Sequence, residues 1–264
     1  MSLKPFLRWA GSKRKLIPKL ERYWDGSADR YVEPFAGSAC LYFHLNPERA
    51  LLSDINTELV LAYKSIKSDY EAVFEALNRL PTGKDGYYTV RSSEKESMCD
   101  IDVAARFIYL NRYCFNGLYR TNRKGIFNVP YGGEKSGSLP TLKELSRYSA
   151  FLSNTEIENC DFRDILHKVR SGDFVYMDPP FSVRARRVFN EYDASVFSES
   201  DLSDLRNWML KLDDNGISFV VSYAECDEAS SLAEGFSYDV VSVRRNISGF
   251  AKNRKIVNEI MIYN

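Results

Sequence analysis

Four consecutive residues, Asp178, Pro179, Pro180 and Phe181, combine a carboxylate, two ring-locked backbone positions and an aromatic face. They close the run "GDFVYMDPPF", whose apolar and aromatic residues stop at the acid. Proline fixes φ and cannot donate to a sheet ladder, so the pair ends a strand and stiffens the elbow beyond it. A carboxylate and a fixed backbone carbonyl then make two acceptors aimed at one place. Their complement is an NH2 group with two donors, such as the exocyclic amine of adenine or cytosine. Phe181 adds a ring on which a base stacks. The competing reading of these four residues alone is a capping Asp178 with Phe181 in the core.

A second stretch, "VEPFAGSA", has a different chemistry. A strand ends at Glu33, and a turn containing Gly37 leads into a helix. Glycine allows close approach of a ligand to the backbone, and a helix N-terminus offers free N–H groups. Asp54 follows 17 residues after Gly37, at the expected end of the next strand, where an acid grips a ribose in nucleoside-binding folds. The pattern is not G-x-G-x-x-G, so an adenosine ligand without a pyrophosphate fits better than a dinucleotide.

These residues need elements to hold them at one edge. Apolar periodicity predicts strands over 30–35, 49–56, 155–160, 173–177 and 217–224, with 238–245 and 255–264 as a closing pair. Helices are predicted over 36–45, 57–80, 163–170 and 198–212, the last with a serine cap at Ser198 and an acid at Asp201. Repeated β-α-β order gives an α/β fold with a mainly parallel sheet covered on both faces. Residues 81–149 break the alternation. They hold a helix candidate at 101–113 and a long stretch rich in Gly, Asn and Pro, which reads as an inserted, mainly helical subdomain rather than a loop. The expected division is 1–80 with 150–264, and 81–149.

The chain has 264 residues, 44% of them apolar, with 17 Tyr and 16 Phe, ample for a core with ring surface to spare. Five scattered cysteines without C-x-x-C spacing and two isolated histidines argue against a disulfide framework, a zinc site or a Ser-His-Asp hydrolase. No metal is expected. With no long apolar run and no signal-peptide pattern behind Met1, a soluble cytoplasmic protein without membrane contact is expected. Net charge is zero, yet five basic residues and no acid lie between Arg106 and Lys124. Further clusters follow at Arg184, Arg186 and Arg187, and at Arg244, Arg245, Lys252, Arg254 and Lys255, while acids concentrate elsewhere. Phosphates respond to the local field, so the neutral total permits a nucleic-acid partner.

"DPPF" resembles the Asp-Pro-Pro-aromatic motif of amino-group DNA methyltransferases, and "VEPFAGSA" their S-adenosylmethionine loop. "FLRWAGSKRKLIPKL" resembles the additional cofactor motif of the Dam-like DNA adenine methyltransferases, and "LNRYCFNGLYRTNRKGIFNVPYG" a block of that family's target-recognition insertion. The resemblance implies a Rossmann-like methyltransferase sheet, S-adenosylmethionine as donor and S-adenosylhomocysteine as product. It places Trp9, Ala10, Gly11, Lys13, Glu33, Phe35, Gly37, Ser38, Asp54, Ile55, Asp161, Phe162 and Asp178 around the cofactor, with Asp178 to Phe181 as the catalytic tetrad. Most relatives carry Tyr where Phe181 stands, and many have glycine in place of Ser12. Phe181 keeps the stacking face without the hydroxyl.

The same resemblance implies a double-stranded DNA partner, with the target adenine flipped out of the helix. It also implies a nucleoid-associated place in a prokaryote or phage-infected cell, and names no protein partner. Arg120 is expected to read guanine and Arg8 to occupy a second base-reading position. Phe115 and Leu118 are expected to wedge into the opened step, with Asn116 and Pro130 at neighbouring bases. Arg112, Arg123, Lys124 and Arg184 are assigned to phosphates. GATC is the first expected target. A cytosine-N4 or RNA adenine-N6 methyltransferase, and a non-catalytic S-adenosylmethionine- and DNA-binding regulator, remain alternatives. A dinucleotide oxidoreductase is a weaker one.

Overall fold

In the computed structural model, which describes residues 3–122, 124–134, 136–180, 197–246 and 254–264, seven strands form one sheet whose central strands are buried on both faces. The first half of the chain supplies α1 (Ile17–Leu20), β1 (Arg30–Glu33), α2 (Cys40–Leu45), β2 (Ala50–Asp54) and α3 (Thr57–Arg79). Then come α4 (Gly83–Ser92), α5 (Asp100–Tyr113), α6 (Leu142–Leu152), β3 (Thr155–Asn159), α7 (Phe162–Leu166) and β4 (Asp173–Met177). The rest is α8 (Glu199–Asp214), β5 (Ser218–Ala224), α9 (Asp227–Ala233), β6 (Ser237–Asn246) and β7 (Arg254–Tyr263).

The strand order is β3-β2-β1-β4-β5-β7-β6, with β1 to β5 parallel and β7 antiparallel to both its neighbours. This is the Rossmann-like sheet expected from the sequence. Side chains alternate between two cores, as a period of two requires. Tyr31, Leu52, Phe174 and Tyr176 join one cluster, and Val32, Leu51, Val175 and Met177 join the other. Because both faces are covered there, β4 (Asp173–Met177) and β5 (Ser218–Ala224) are almost uninterrupted apolar runs, which is why they were legible.

Two predicted helices are shorter than their apolar spacing suggested. Residues 36–39 form a turn before α2, with Ala39 left-handed at φ 49°, and α7 ends at Leu166. The segment between β2 and β3 contains α4, which was not foreseen, and α5, which was. α3 packs against both α5 and α6, and α6 runs across residue 149. Tyr87, Ile108 and Val129 belong to the same apolar cluster as Phe6, Tyr31 and Tyr63, so this segment shares a core with one face of the sheet. Among the described residues no helix is long and apolar enough to cross a membrane.

Candidate active site

In an open parallel sheet, ligands settle outside the carboxyl ends of the strands, where the connections run to opposite sides. Here that point lies between β1 and β4. Glu33 is the last residue of β1, Asp54 the last of β2, and Asp178 the first after β4. The apolar runs thus stop at three acids along one edge.

Asp178 is held by residues far away in sequence. Lys13 Nζ donates to Asp178 Oδ1 at 2.5 Å and lies 3.5 Å from Glu259 Oε2, while Ser222 Oγ donates to Asp178 Oδ1 at 3.1 Å. The Lys13 and Glu259 side chains are 3% and 2% exposed, whereas that of Asp178 is 21% exposed. Of the paired groups, only the acid of the candidate tetrad therefore reaches outward. Burial pushes the Asp178 carboxyl above the ordinary carboxylate range, and the Lys13 ammonium holds part of that rise back. Pro179 is buried and Pro180 exposed, and Phe181 lies outside the described residues.

The cofactor-type loop is braced from three sides. Gly37 N donates to Asp54 Oδ2 at 2.9 Å, and Tyr63 Oη donates to Gly37 O at 2.8 Å. The third brace is Trp9, whose Cδ1 would stand 2.8 Å from a Cβ at position 37. Trp9 in turn stacks on Tyr119, with ring centroids 5.5 Å apart at 24°. Ser38 Oγ donates to Ser12 Oγ at 3.2 Å, which ties the loop to the N-terminal motif again. Asp54 Oδ1 accepts from Asn56 N at 2.9 Å, so both carboxylate oxygens anchor backbone. Ala10 and Gly11 are exposed beside this brace.

At the far end of the loop, Phe35, Phe162 and Phe197 form an aromatic trio, with Phe35–Phe162 centroids 5.1 Å apart. Ile55 is 62% exposed, an unusual state for an isoleucine at a strand end and a ready apolar wall. Asp161 caps α7 by accepting from Arg163 N at 2.9 Å and pairs with the Arg163 guanidinium, which lies over the Phe162 ring. These groups fit S-adenosylmethionine. The exposed isoleucine and the trio suit an adenine, and the acids suit a ribose and a cationic amine. The positive φ of 46° at Gly37 keeps side-chain bulk out of the turn between them.

Glu33 is a buried acid at the end of β1. Its carboxyl accepts from Tyr31 Oη at 2.8 Å, yet burial and then the charges of Asp178 and Asp54 drive it well above the ordinary glutamate range. The folded state therefore favours the neutral acid, and stability is lost as pH rises through the raised value. Glu33→Gln is expected to flatten that loss, so that the variant melts above the parent at neutral pH and level with it below the ordinary value of 4.5. The same variant should bind a cationic cofactor more weakly. Parallel melting curves for the two proteins across this pH range would contradict the assignment.

The second basic-aromatic surface lies on the segment after α5. Phe115, Leu118 and Ile126 are 47%, 38% and 54% exposed, and Asn116 sits at φ 55° between the first two. Arg120, Lys124 and Pro130 are exposed on the same stretch. Arg120 Nε donates to Asn128 Oδ1 at 2.7 Å, which fixes one edge of its guanidinium. Arg8 and Arg112 are turned inward instead. Arg8 Nη1 donates to the carbonyls of Ser136 and Arg112, while Arg112 donates to Ser138 O at 2.7 Å and Phe6 O at 3.1 Å. Burial, then the neighbouring Arg8 charge, lowers the Arg112 pKa. The two arginines thus staple the N-terminal segment to this surface. Arg123 and Arg184 lie outside the described residues.

Sequence reasoning missed Tyr63, Asn128, Phe197, Ser222 and Glu259. Only Glu259 left a signal, as an acid set between the apolar residues of "IVNEIMIY". Among the described residues there is no group of His, Cys, Asp and Glu that could hold a metal ion.

Comparison with known proteins adds the following. A family model described as D12 class N6 adenine-specific DNA methyltransferase matches residues 9–247. The chain is 32% identical over 273 residues to Type II methyltransferase M1.LlaDCHI of Lactococcus lactis subsp. cremoris, an alignment covering 100% of this chain and 96% of the relative. It is 33% identical over 288 residues to Type II methyltransferase M.MjaIII of Methanocaldococcus jannaschii, covering 100% of both. With a protein of Vibrio cholerae named DNA adenine methylase it shares 30% identity over 264 residues, covering 97% of this chain and 94% of that one.

Proposed function

This chain belongs to the D12 class of N6 adenine-specific DNA methyltransferases, and from that membership we propose that it methylates N6 of an adenine flipped out of duplex DNA, with S-adenosylmethionine as donor and GATC as its target. The observation that carries this reading is the arrangement at the carboxyl edge. Asp178 reaches outward beside the braced Gly37 loop while buried Lys13 and Ser222 hold it in place.

S-adenosylmethionine, when bound, supplies an electrophilic methyl group on a sulfonium and leaves as S-adenosylhomocysteine. Adenine N6 is a poor nucleophile because its lone pair is delocalised into the ring. Asp178 and the Pro179 carbonyl accept the two N6 hydrogens and draw the amine towards tetrahedral geometry, which localises the lone pair towards the methyl group. Positioning and a fixed negative charge supply much of the rate. With the donor held by the Gly37 loop, the bond from the methyl carbon to N6 would form as the carbon–sulfur bond breaks, its electron pair staying on sulfur. N6 then carries one proton too many, and the Asp178 carboxylate stands ready to accept it. Phe181 stacks the flipped base.

On the DNA side, Arg120 reads a guanine with its orientation set by Asn128, and Phe115 and Leu118 fill the space the adenine leaves. Lys124, Arg123 and Arg184 hold phosphates. Asn116 and Pro130 contact neighbouring bases. The inward hydrogen bonds of Arg8 and Arg112 support a role in holding this surface, in place of base reading for Arg8 and phosphate contact for Arg112.

Tritiated methyl transfer to a random-sequence duplex library, with the modified sites mapped, tests the proposal. Label is expected on adenine within GATC. Arg120→Ala is expected to slow transfer at GATC by roughly 10–100-fold, as loss of a bidentate base contact of about 1–3 kcal/mol implies, and to spread label to sites altered at one base. Label spread evenly over sequences, on cytosine, or only on RNA controls would overturn it.

A further inference from the structure

We propose that Arg163 is a positioning residue of the cofactor pocket, which aims the Asp161 carboxylate so that it selects adenine over other purines at the adenosine end of S-adenosylmethionine. The inference rests on the functional reading above and deepens it. β2 and β3 end level with each other at the carboxyl edge, where Asp54 pairs in register with Asn159. Asn159 Nδ2 donates to Asp54 O at 2.9 Å and to Ile55 O at 3.1 Å, which ties the exposed Ile55 to the end of β3. Asp161 follows two residues later, ahead of α7, with its side chain 35% exposed. The chain therefore brings a carboxylate out close to the apolar wall that suits an adenine.

An aspartate at such an edge would ordinarily rotate, but this one is held at both oxygens. Asp161 Oδ1 accepts from Arg163 N at 2.9 Å and from Arg163 Nη1 at 3.0 Å, and Oδ2 accepts from the same Nη1 at 3.2 Å. The guanidinium is itself fixed from α8. Its Nε donates to Asp204 Oδ2 at 2.7 Å, and its Nη2 donates to Asp201. Asp201 is locked in turn by the capping box at Ser198, whose N–H donates to Asp201 Oδ2 at 2.6 Å. The Phe162 ring supports the guanidinium from below, 4.5 Å from its carbon. A planar fork of donors can hold several carboxylates in fixed directions, which an ammonium cannot. The direction of the pocket acid is thus set from α8, through one arginine.

The use of an aimed acceptor is selectivity. Adenine carries an exocyclic amine that donates, whereas hypoxanthine has a carbonyl in the same place that only accepts. An ionised carboxylate is acceptor-only, so it attracts the first and repels the second, and the difference grows with how narrowly it is aimed. The test compares S-adenosylhomocysteine with its deaminated counterpart, in which hypoxanthine replaces adenine, by calorimetric titration without DNA. The parent protein should favour the adenine compound roughly 100-fold, and Arg163→Gln should cut that preference to about 10-fold or less, the span of one charge-assisted hydrogen bond. The loss should fall on the adenine compound, while affinity for the hypoxanthine compound hardly moves. Single-turnover methyl transfer at saturating S-adenosylmethionine should stay near the parent rate, so that the change appears in KM rather than kcat. Arg163→Lys should recover only part of the preference. In an Asp161→Ala background, Arg163→Gln should alter the ratio little. Lys168→Gln, which breaks an exposed ion pair with Glu158, is the control and should leave both affinities alone.

A residue that only holds α7 against α8 would lower the melting temperature and weaken both compounds alike. Equal losses, or a preference in Arg163→Gln as large as the parent's, overturn the proposal, and so does a parent that binds both compounds equally. If Arg163→Gln does not fold, Arg163→Lys carries the same comparison with the same two outcomes. A parent that prefers the adenine compound but methylates no DNA defeats the functional reading by itself, and the ratio in the variant still decides the proposal. A parent that binds neither compound defeats both.

Discussion

Asp178→Ala is expected to bind S-adenosylmethionine within a few-fold of the parent protein and to transfer methyl groups at least ~10³-fold more slowly. The size follows from what the side chain holds. On the proposed mechanism it is one of two acceptors for the reacting amine, and the carbonyl beside it cannot orient an NH2 group alone. The variant should still fold. Lys13, only 3% exposed, loses its partner at 2.5 Å but keeps Glu259 at 3.5 Å, so no isolated buried ammonium remains. The change should cost about 1–3 kcal/mol of stability, the usual result of leaving one buried donor unmatched. Rapid-quench single turnovers with equilibrium dialysis of the cofactor separate the two effects. Turnover near that of the parent protein would sink the catalytic assignment.

Gly37→Ala should fail at the preceding step, with cofactor affinity down ~100-fold or more and methyl transfer lost in proportion. A side chain at position 37 would stand 2.8 Å from Trp9 Cδ1 and 3.1 Å from Nε1, at a backbone φ of 46° that L residues seldom adopt. Trp9 cannot swing aside cheaply because Tyr119 stacks on it. The strain therefore falls on the loop itself, whose N–H and carbonyl are fixed by Asp54 and Tyr63. Calorimetric titration with S-adenosylmethionine measures the loss. Gly216→Ala is the control, since Gly216 shares a positive φ of 64° but has open space around it. It should lose roughly 1 kcal/mol of stability and no affinity. Equal affinity of the Gly37 variant and the parent would remove the loop from the cofactor site.

The acids at the sheet edge were legible because each ends an apolar run, and a run that stops at a carboxylate has both a length and a direction. Glu33, Asp54 and Asp178 all follow that rule. The closing pair β6 and β7 was legible from its runs of β-branched and other apolar residues. What stayed hidden was pairing. Nothing in "KRK" tells that Lys13 reaches Asp178, 165 residues on. Arg8 and Arg112 read as charges for DNA, because composition cannot distinguish a guanidinium facing solvent from one donating to backbone carbonyls. α4 escaped notice because "GKDGYYTVRS" carries two glycines and few apolar residues, and its place is set by tertiary packing of Tyr87 and Val90. The turn before α2 was read as helix since spacing alone does not reveal a left-handed Ala39.

The ring of Trp9 belongs to two surfaces at once, touching the Gly37 turn on one side and Tyr119, three residues before Asn122 in the segment after α5, on the other. Two ligands that each bias one shared ring cannot have independent affinities. Whatever factor the small molecule applies to the grip on the duplex, the duplex must apply to the grip on the small molecule, because the free energy of a closed cycle is zero. On the proposed function, exchange of spent for fresh donor and departure from the duplex would then be coupled events, through the one indole that stands between the two surfaces.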